Sequence, residues 1–273
     1  MARNILQTIL ETKKKEVADL RARFSMDELA AQARSAGPAR NFFAAVTKQP
    51  RRAVNLIAEI KKASPSAGLI RSDFDPVDIA RQYEAAGADA LSVLTDVEYF
   101  QGNLDYIRQV REAVSLPVLR KDFIIDASQV YESRAAGADA ILLIAAALPP
   151  GTMLDLMIMA TELRMTTLVE VHGADELLAV RSMIGFPHAA YSLLGINNRD
   201  LTTFKVDINT TTRMAELAEG KPLVSESGIK TYQDVHRLAG VGVNAILVGE
   251  TLMRSGNIQQ EVQALLGPIR TKT

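Results

Sequence analysis

The sequence predicts an α/β protein, a single (β/α)8 TIM barrel with an N-terminal helical extension, and three observations lead there. Eight short apolar runs, at 55–60, 90–94, 117–120, 140–144, 166–171, 192–196, 222–226 and 245–249, alternate with helical patterns such as PVDIARQYEAAG and DASQVYESRAAG. Alternation of this kind implies parallel strands joined by crossover helices, and continuous apolar runs fit strands buried on both faces. Eight runs favour a closed barrel over an open sheet. The length of 273 residues suits one barrel of about 250 plus a short extension. Finally, AAGADA occurs at 85–90 and again at 135–140, with GVNAILVG at 242–249 as a looser third copy. In each, a glycine closes a helix in a left-handed turn and the chain enters a strand.

Taken in order, residues 4–22 read as a helix, with Ile5, Ile9, Val17 and Leu20 at helical spacing among Lys13, Lys14, Lys15 and Glu16. The lysine run is read as a solvated face. A second short helix follows Ser25, with Asp27 and Glu28 in its first turn, and Gly37-Pro38 then breaks the chain. These pieces form an extension over about residues 1–48 of a single domain spanning 1–273. The eight βα units follow, with no linker or low-complexity stretch.

Composition narrows the function. Apolar residues make up 48%, enough for a sizeable core, yet no run reaches the ~18 residues of a membrane helix. A net charge of −1 gives no field to draw in nucleic acid, so an anionic ligand needs a local site. Without cysteine there is no thiolate catalysis and no disulfide. His172, His188 and His236 show no metal-ligand spacing, and there is no GxGxxG turn or P-loop, so neither metal nor cofactor is expected. The start lacks a signal peptide, which makes a cytoplasmic location the default. Monomer and weak homodimer both stay open.

Barrel active sites lie at the C-terminal strand ends. Polar residues close several runs: Glu59 and Lys61 the first, Lys121 and Asp122 the third, Glu170 the fifth, Asn197 and Arg199 the sixth, Glu226 and Ser227 the seventh, Gly249 the eighth. The second and fourth end in apolar groups, around Leu94 and Leu143. Ionisable residues within buried strands are costly unless paired. Two lysines and three glutamates on one rim compensate each other and offer an acid and a base. In SESGI, Ser227 and Gly228 form a turn, and in ILVGETLM, Gly249 precedes a short helical turn. Loops seven and eight, with a helix N-terminus, are the usual phosphate site of such barrels. Glu250 is an awkward neighbour for an anion. Its N–H can bind while its carboxylate turns away.

The stretch LIAEIKKASPSAGLI at 56–70 resembles the signature segment of the indole-3-glycerol phosphate synthases, of the form E-φ-K-x-x-S-P-S with φ apolar. VLRKDFIID (118–126), LVEVH (168–172), GINNRDL (195–201), SESGI (225–229) and LVGETLM (247–253) resemble that family's later motifs, in order. The resemblance spans about the whole chain. It implies that Lys121 is the general acid and Glu170 the general base, with Glu59 orienting the lysines. Lys61 would bind the phosphate or the substrate carboxylate and share in proton transfer. Ser64, Asn197, Glu226 and Ser227 would contact substrate, and Arg199 would meet the anthranilate carboxylate. Phe100, Phe123, Leu94 and Leu143 would line the aryl pocket, and Gly228, Gly249 and the N–H of Glu250 would hold the phosphate.

The implied reaction is the decarboxylating, dehydrating ring closure of 1-(2-carboxyphenylamino)-1-deoxy-D-ribulose 5-phosphate to indole-3-glycerol phosphate in tryptophan biosynthesis. It involves no hydride or phosphoryl transfer. The 65–73 loop, which contains Gly68, would close over the site. Two rival readings use the same fold. A Schiff-base aldolase would use Lys121 or Lys61 as an imine-forming amine and would be trapped by borohydride. A non-catalytic phosphate-binding barrel would need neither Lys121 nor Glu170.

Overall fold

The computed structural model describes residues 5–200 and 205–269. Asn4, where the sequence places the start of the first helix, and Leu201, the last residue of the GINNRDL motif, lie outside the described residues. Eight parallel strands close into a barrel: β1 (Asn55–Ile60), β2 (Ala90–Leu94), β3 (Val118–Lys121), β4 (Ala140–Ile144), β5 (Thr166–Val171), β6 (Ser192–Asn197), β7 (Leu223–Glu226) and β8 (Ala245–Val248). Each lies within one residue of the run that predicted it.

Three helices precede β1: α1 (Ile5–Arg23), α2 (Met26–Ser35) and α3 (Phe42–Thr47). The start of α2 is fixed by a capping box, in which Ser25 accepts the Glu28 N–H and Glu28 accepts the Ser25 N–H. Around the barrel run α4 (Pro76–Ala85), α5 (Asp105–Ala113), α6 (Ala127–Ala135), α7 (Pro150–Glu162), α8 (Ala174–Val180), α9 (Asn209–Met214) and α10 (Tyr232–Gly240), then the short α11 (Glu250–Met253) and α12 (Ile258–Leu266). Asp75 and Asp126 cap α4 and α6.

The sequence echo has a structural cause. Asp89, just before β2, accepts the N–H of Leu56 at the start of β1. Asp139, just before β4, does the same for Val118 of β3. In the looser copy Asn244, before β8, accepts the N–H of Leu223 of β7. A side-chain oxygen thus satisfies a backbone donor at the start of the preceding strand, and Asn serves as well as Asp.

The register sets the layers inside the barrel. Side chains alternate along each strand, and one face of every strand points to the axis. Glu59 pairs with Ser92, which pairs with Leu119, and the inward residue one pleat further along β3 is Lys121. The same step leads to Glu170 on β5 and Glu226 on β7, and back to Glu59. The four odd strands therefore contribute one layer of four side chains, as TIM barrels do. Here that layer is Glu59, Lys121, Glu170 and Glu226. The next layer down holds Ser92, Leu142, Gly195 and Leu247, and the one beneath it Ile57, Leu119, Leu168 and Val224. Phe42 and Val46 of α3 pack with this lower interior and plug the N-terminal end. The opposite faces of the strands pack on the helices in a second apolar cluster.

Candidate active site

The charged layer forms the floor of a cavity of about 1230 Å³ at the C-terminal end of the barrel. Its charges face groups of opposite sign. Lys121 Nζ lies 3.4 Å from Glu170 Oε2 and 3.5 Å from Glu226 Oε2. Lys61 Nζ lies 2.5 Å from Glu59 Oε2. Burial alone would lower the Lys121 pKa, but Glu170, Glu226 and Glu59 outweigh it and hold the ammonium well above the usual lysine range. For Glu59, burial is overcome by Lys61 and Lys121, so the carboxylate titrates below its ordinary value. Burial also opposes ionisation of Glu170, but Lys121, His172 and the Asn197 amide pull its pKa down. Glu226 is pushed up, by burial first and then by the charge of Glu170. Two carboxylates share one ammonium, and only one of them is readily ionised.

Two glycines make room for this layer. A Cβ at Gly249 would collide with the Glu59 carboxylate, and one at Gly195 would come within 2.6 Å of Glu226 Oε1. Consecutive residues Ser227 (φ 66°) and Gly228 (φ 77°) adopt the left-handed conformation after β7. The helix α11 begins at Gly249 with no side-chain cap, so its first N–H groups have no intrahelical acceptor. Thr251 Oγ1 donates to Ile229 O at 2.9 Å and ties α11 to the SESGI turn. Gly228, Gly249, Glu250 and Thr251 border one side of the cavity together with Lys61, Lys230 and Arg254. The Glu250 carboxylate turns to Arg254 (3.0 Å) and Arg199 (3.9 Å), which offsets its charge.

The other side is apolar. Leu94, Phe100 and Phe123 border it, and the two rings lie 6.2 Å apart between centroids. Ile5, Leu6 and Ile9 of α1 complete that wall. Leu143 requires a correction. It is fully buried in the outer cluster between barrel and helices, and its neighbours Leu142 and Ile144 face the cavity instead. The pleat is the reason: with a period of two, a choice one residue out reverses the face.

Ser64 and Asn197 also border the cavity. Ser64 belongs to a small hairpin, Ala63–Ser64 with Gly68–Leu69, in which its Oγ accepts the Ala67 N–H at 3.2 Å. Arg199 reaches Ser66 of the same loop (3.4 Å) as well as Glu250, so it stands nearer the glycine turns than an aryl-carboxylate role implies.

The lysine run also differs from its reading. Lys14 and Lys15 are exposed, but Lys13 is buried at 1% exposure. Its Nζ lies 2.8 Å from Asp96, 2.9 Å from Asp122 and 2.8 Å from Glu16. A buried ammonium thus latches α1 to the ends of β2 and β3, next to Lys121. Helical phase carried a signal, because Leu6, Ile9, Lys13 and Leu20 share the buried face. Asn198 was also missed. Its amide donates to Ser225 Oγ, Glu226 O and Ser227 O, and its oxygen accepts from Thr211, which joins β6, β7 and α9.

The chain has relatives among known proteins. Residues 6–265 match the family model described as indole-3-glycerol phosphate synthase. A curated relative of that name from Neisseria meningitidis serogroup C is 49% identical over 265 residues, 96% of this chain and 99% of that one. One from Halalkalibacterium halodurans is 44% identical over 98% of this chain and 99% of its own length. Among solved structures, a 3-hexulose-6-phosphate synthase superposes with a TM-score of 0.61 at 17% identity, over 78% of this chain and 98% of that one. This last likeness speaks to the fold alone.

Proposed function

The chain belongs to the indole-3-glycerol phosphate synthase family, and from that premise we propose that its ring closure runs on Lys121 as general acid and Glu170 as general base. The reaction converts 1-(2-carboxyphenylamino)-1-deoxy-D-ribulose 5-phosphate to indole-3-glycerol phosphate, CO2 and water, a step of tryptophan biosynthesis. The observation that carries the role assignment is the ammonium of Lys121 between two buried carboxylates on the cavity floor.

The phosphate would rest at the turn of Ser227 and Gly228 and the start of α11, with Lys61 supplying positive charge. The aryl ring would lie against Phe100, Phe123 and Leu94. Between them the carboxyl-bearing ring carbon attacks the sugar ketone, and the new C–C bond forms as Lys121 protonates the ketone oxygen. The carboxylate then leaves as CO2, and the electrons of its bond restore the aromatic ring. A second proton converts the hydroxyl to departing water, with the ring nitrogen supplying electrons. Glu170 takes the adjacent carbon-bound proton and completes the indole. Two protons are given and one is taken, so each turnover draws one from solvent. Lys61, paired with Glu59 and bordering the same cavity, would share in these transfers. General-acid help of this kind contributes ~10²–10⁴-fold.

Imine chemistry is disfavoured, because it needs a neutral amine and three carboxylates keep Lys121 charged. A cytoplasmic location belongs to the same reading. Among the described residues no helix is long and apolar enough to cross a membrane. The test is Lys121→Ala, which should lose about 10²-fold or more in turnover while still binding substrate. Turnover near that of the parent removes Lys121 from this role.

A further inference from the structure

The mechanism requires the two buried carboxylates of the floor to differ, yet Lys121 lies almost equally close to both. Its Nζ is 3.4 Å from Glu170 and 3.5 Å from Glu226. Like charges this close in a dry site cannot both ionise easily, so some other group decides which one remains a base.

The asymmetry lies at the end of β5. His172 follows Glu170 by two residues, so the pleat turns both toward the same side. Its Nε2 lies 3.2 Å from Glu170 Oε1, and its Nδ1 lies 3.3 Å from Glu176 Oε2 in the first turn of α8. The same Glu176 oxygen accepts the His172 N–H at 2.9 Å, which fixes the backbone as well as the ring. The ring is 10% exposed and does not border the cavity. The charged groups that face this pair are Lys121 from β3, Glu226 from β7, Glu59 from β1 and Glu176 from α8, with the neutral Asn197 from β6. Asn197 is itself oriented, because its Oδ1 accepts the Arg199 N–H at 3.0 Å and leaves its NH2 for Glu170. Both oxygens of Glu226, but only Oε2 of Glu170, are buried without a hydrogen-bond partner among the described residues, and His172 Nε2 faces Glu170 Oε1 as an ion pair rather than in a well-formed hydrogen bond.

We infer that His172 is a positioning residue, an imidazolium clamped between Glu176 and Glu170 that orients the Glu170 carboxylate and selects it over Glu226 as the ionised base. The inference rests on the proposed roles of Lys121 and Glu170. Burial opposes the charge on His172, but the carboxylates of Glu170 and Glu176 on either side of the ring push its pKa up to about 10. It therefore stays charged across the neutral range. Removal of this cation raises the Glu170 pKa, so the acid limb of the turnover profile moves to higher pH.

The experiment is the pH profile of kcat and KM for His172→Gln and Glu176→Gln. In His172→Gln, kcat at neutral pH should fall by roughly ten- to a hundredfold with KM within about twofold. Its acid limb should rise by about one pH unit. Glu176→Gln removes only the outer anchor and should shift the limb the same way by less. An unshifted acid limb in His172→Gln, or in Glu176→Gln should the first variant fail to fold, overturns the inference. Glu170→Gln separates the two claims. If that variant remains active, the proposed role of Glu170 fails. If it is inactive while the His172 and Glu176 variants keep the parental limb, only the clamp fails.

Discussion

Replacement of Lys13 by methionine keeps the length of the side chain and removes the charge that holds α1 to the barrel mouth. Asp122 would keep Arg120 Nη2 at 3.2 Å, the Thr95 hydroxyl at 2.5 Å and the Phe123 N–H at 2.8 Å. Asp96 is worse placed. Its Oδ1 accepts the Tyr99 and Phe100 N–H groups, but its Oδ2 faces Lys13 Nζ at 2.8 Å and has no other donor beside it among the described residues. The carboxylate is fully buried. Removal of one partner from such a pair typically costs ~3–5 kcal/mol, because a buried charge is left uncompensated. At ~2–4 °C per kcal/mol for a chain of this size, the melting temperature should fall by roughly 6–20 °C. Thermal and urea unfolding followed by far-ultraviolet circular dichroism measures it. Addition of Asp96→Asn should return part of the loss, since the orphaned charge is removed as well. The acid side has a definite sign. The Asp122 pKa is lowered from 3.8 to about 2, because Arg120 and Lys13 outweigh burial. Its contribution is complete above pH 3.8 and is lost as pH falls through about 2. Without Lys13 the acid transition should begin at higher pH. A loss below about 1 kcal/mol, the value of an exposed pair, would refute the latch.

Two further substitutions test the geometry of the floor. Leu143→Ala should cost ~2–5 kcal/mol in stability with KM little changed, whereas Leu142→Ala, one residue away, should raise KM. Paired urea melts and steady-state kinetics decide it, and a raised KM in the Leu143 variant would contradict its outward face. Gly249→Ala should lower turnover by about ten- to a hundredfold, since the added Cβ would lie 3.0 Å from Glu59 Cδ and displace that carboxylate from Lys61. Parental kcat in this variant would show that Glu59 can move freely.

Strand positions, helix boundaries and the approximate address of the site were legible in the residues, because each depends on local signals. Buried parallel strands demand apolar runs, Ser25 and Asp126 announce helix starts, and polar residues at strand ends mark the mouth. The family motifs added the reaction. Lys13 was legible only in part. Its position on the buried stripe of α1 can be counted, but a lysine there looks solvated until its two aspartates, from distant segments, are seen beneath it. Leu143 was misassigned because an all-apolar strand does not reveal which of its faces points inward.

The barrel's closure decided the rest. Sequence alone determined that Glu59, Lys121, Glu170 and Glu226 each end a strand. That they form one layer, with Lys121 midway between two carboxylates, follows from the stagger of eight strands around a ring, which no local pattern encodes. The same holds for His172 against Glu170 and Glu176. Electrostatic roles depend on distances of a few ångströms between segments far apart in the chain, and only the folded backbone fixes those distances.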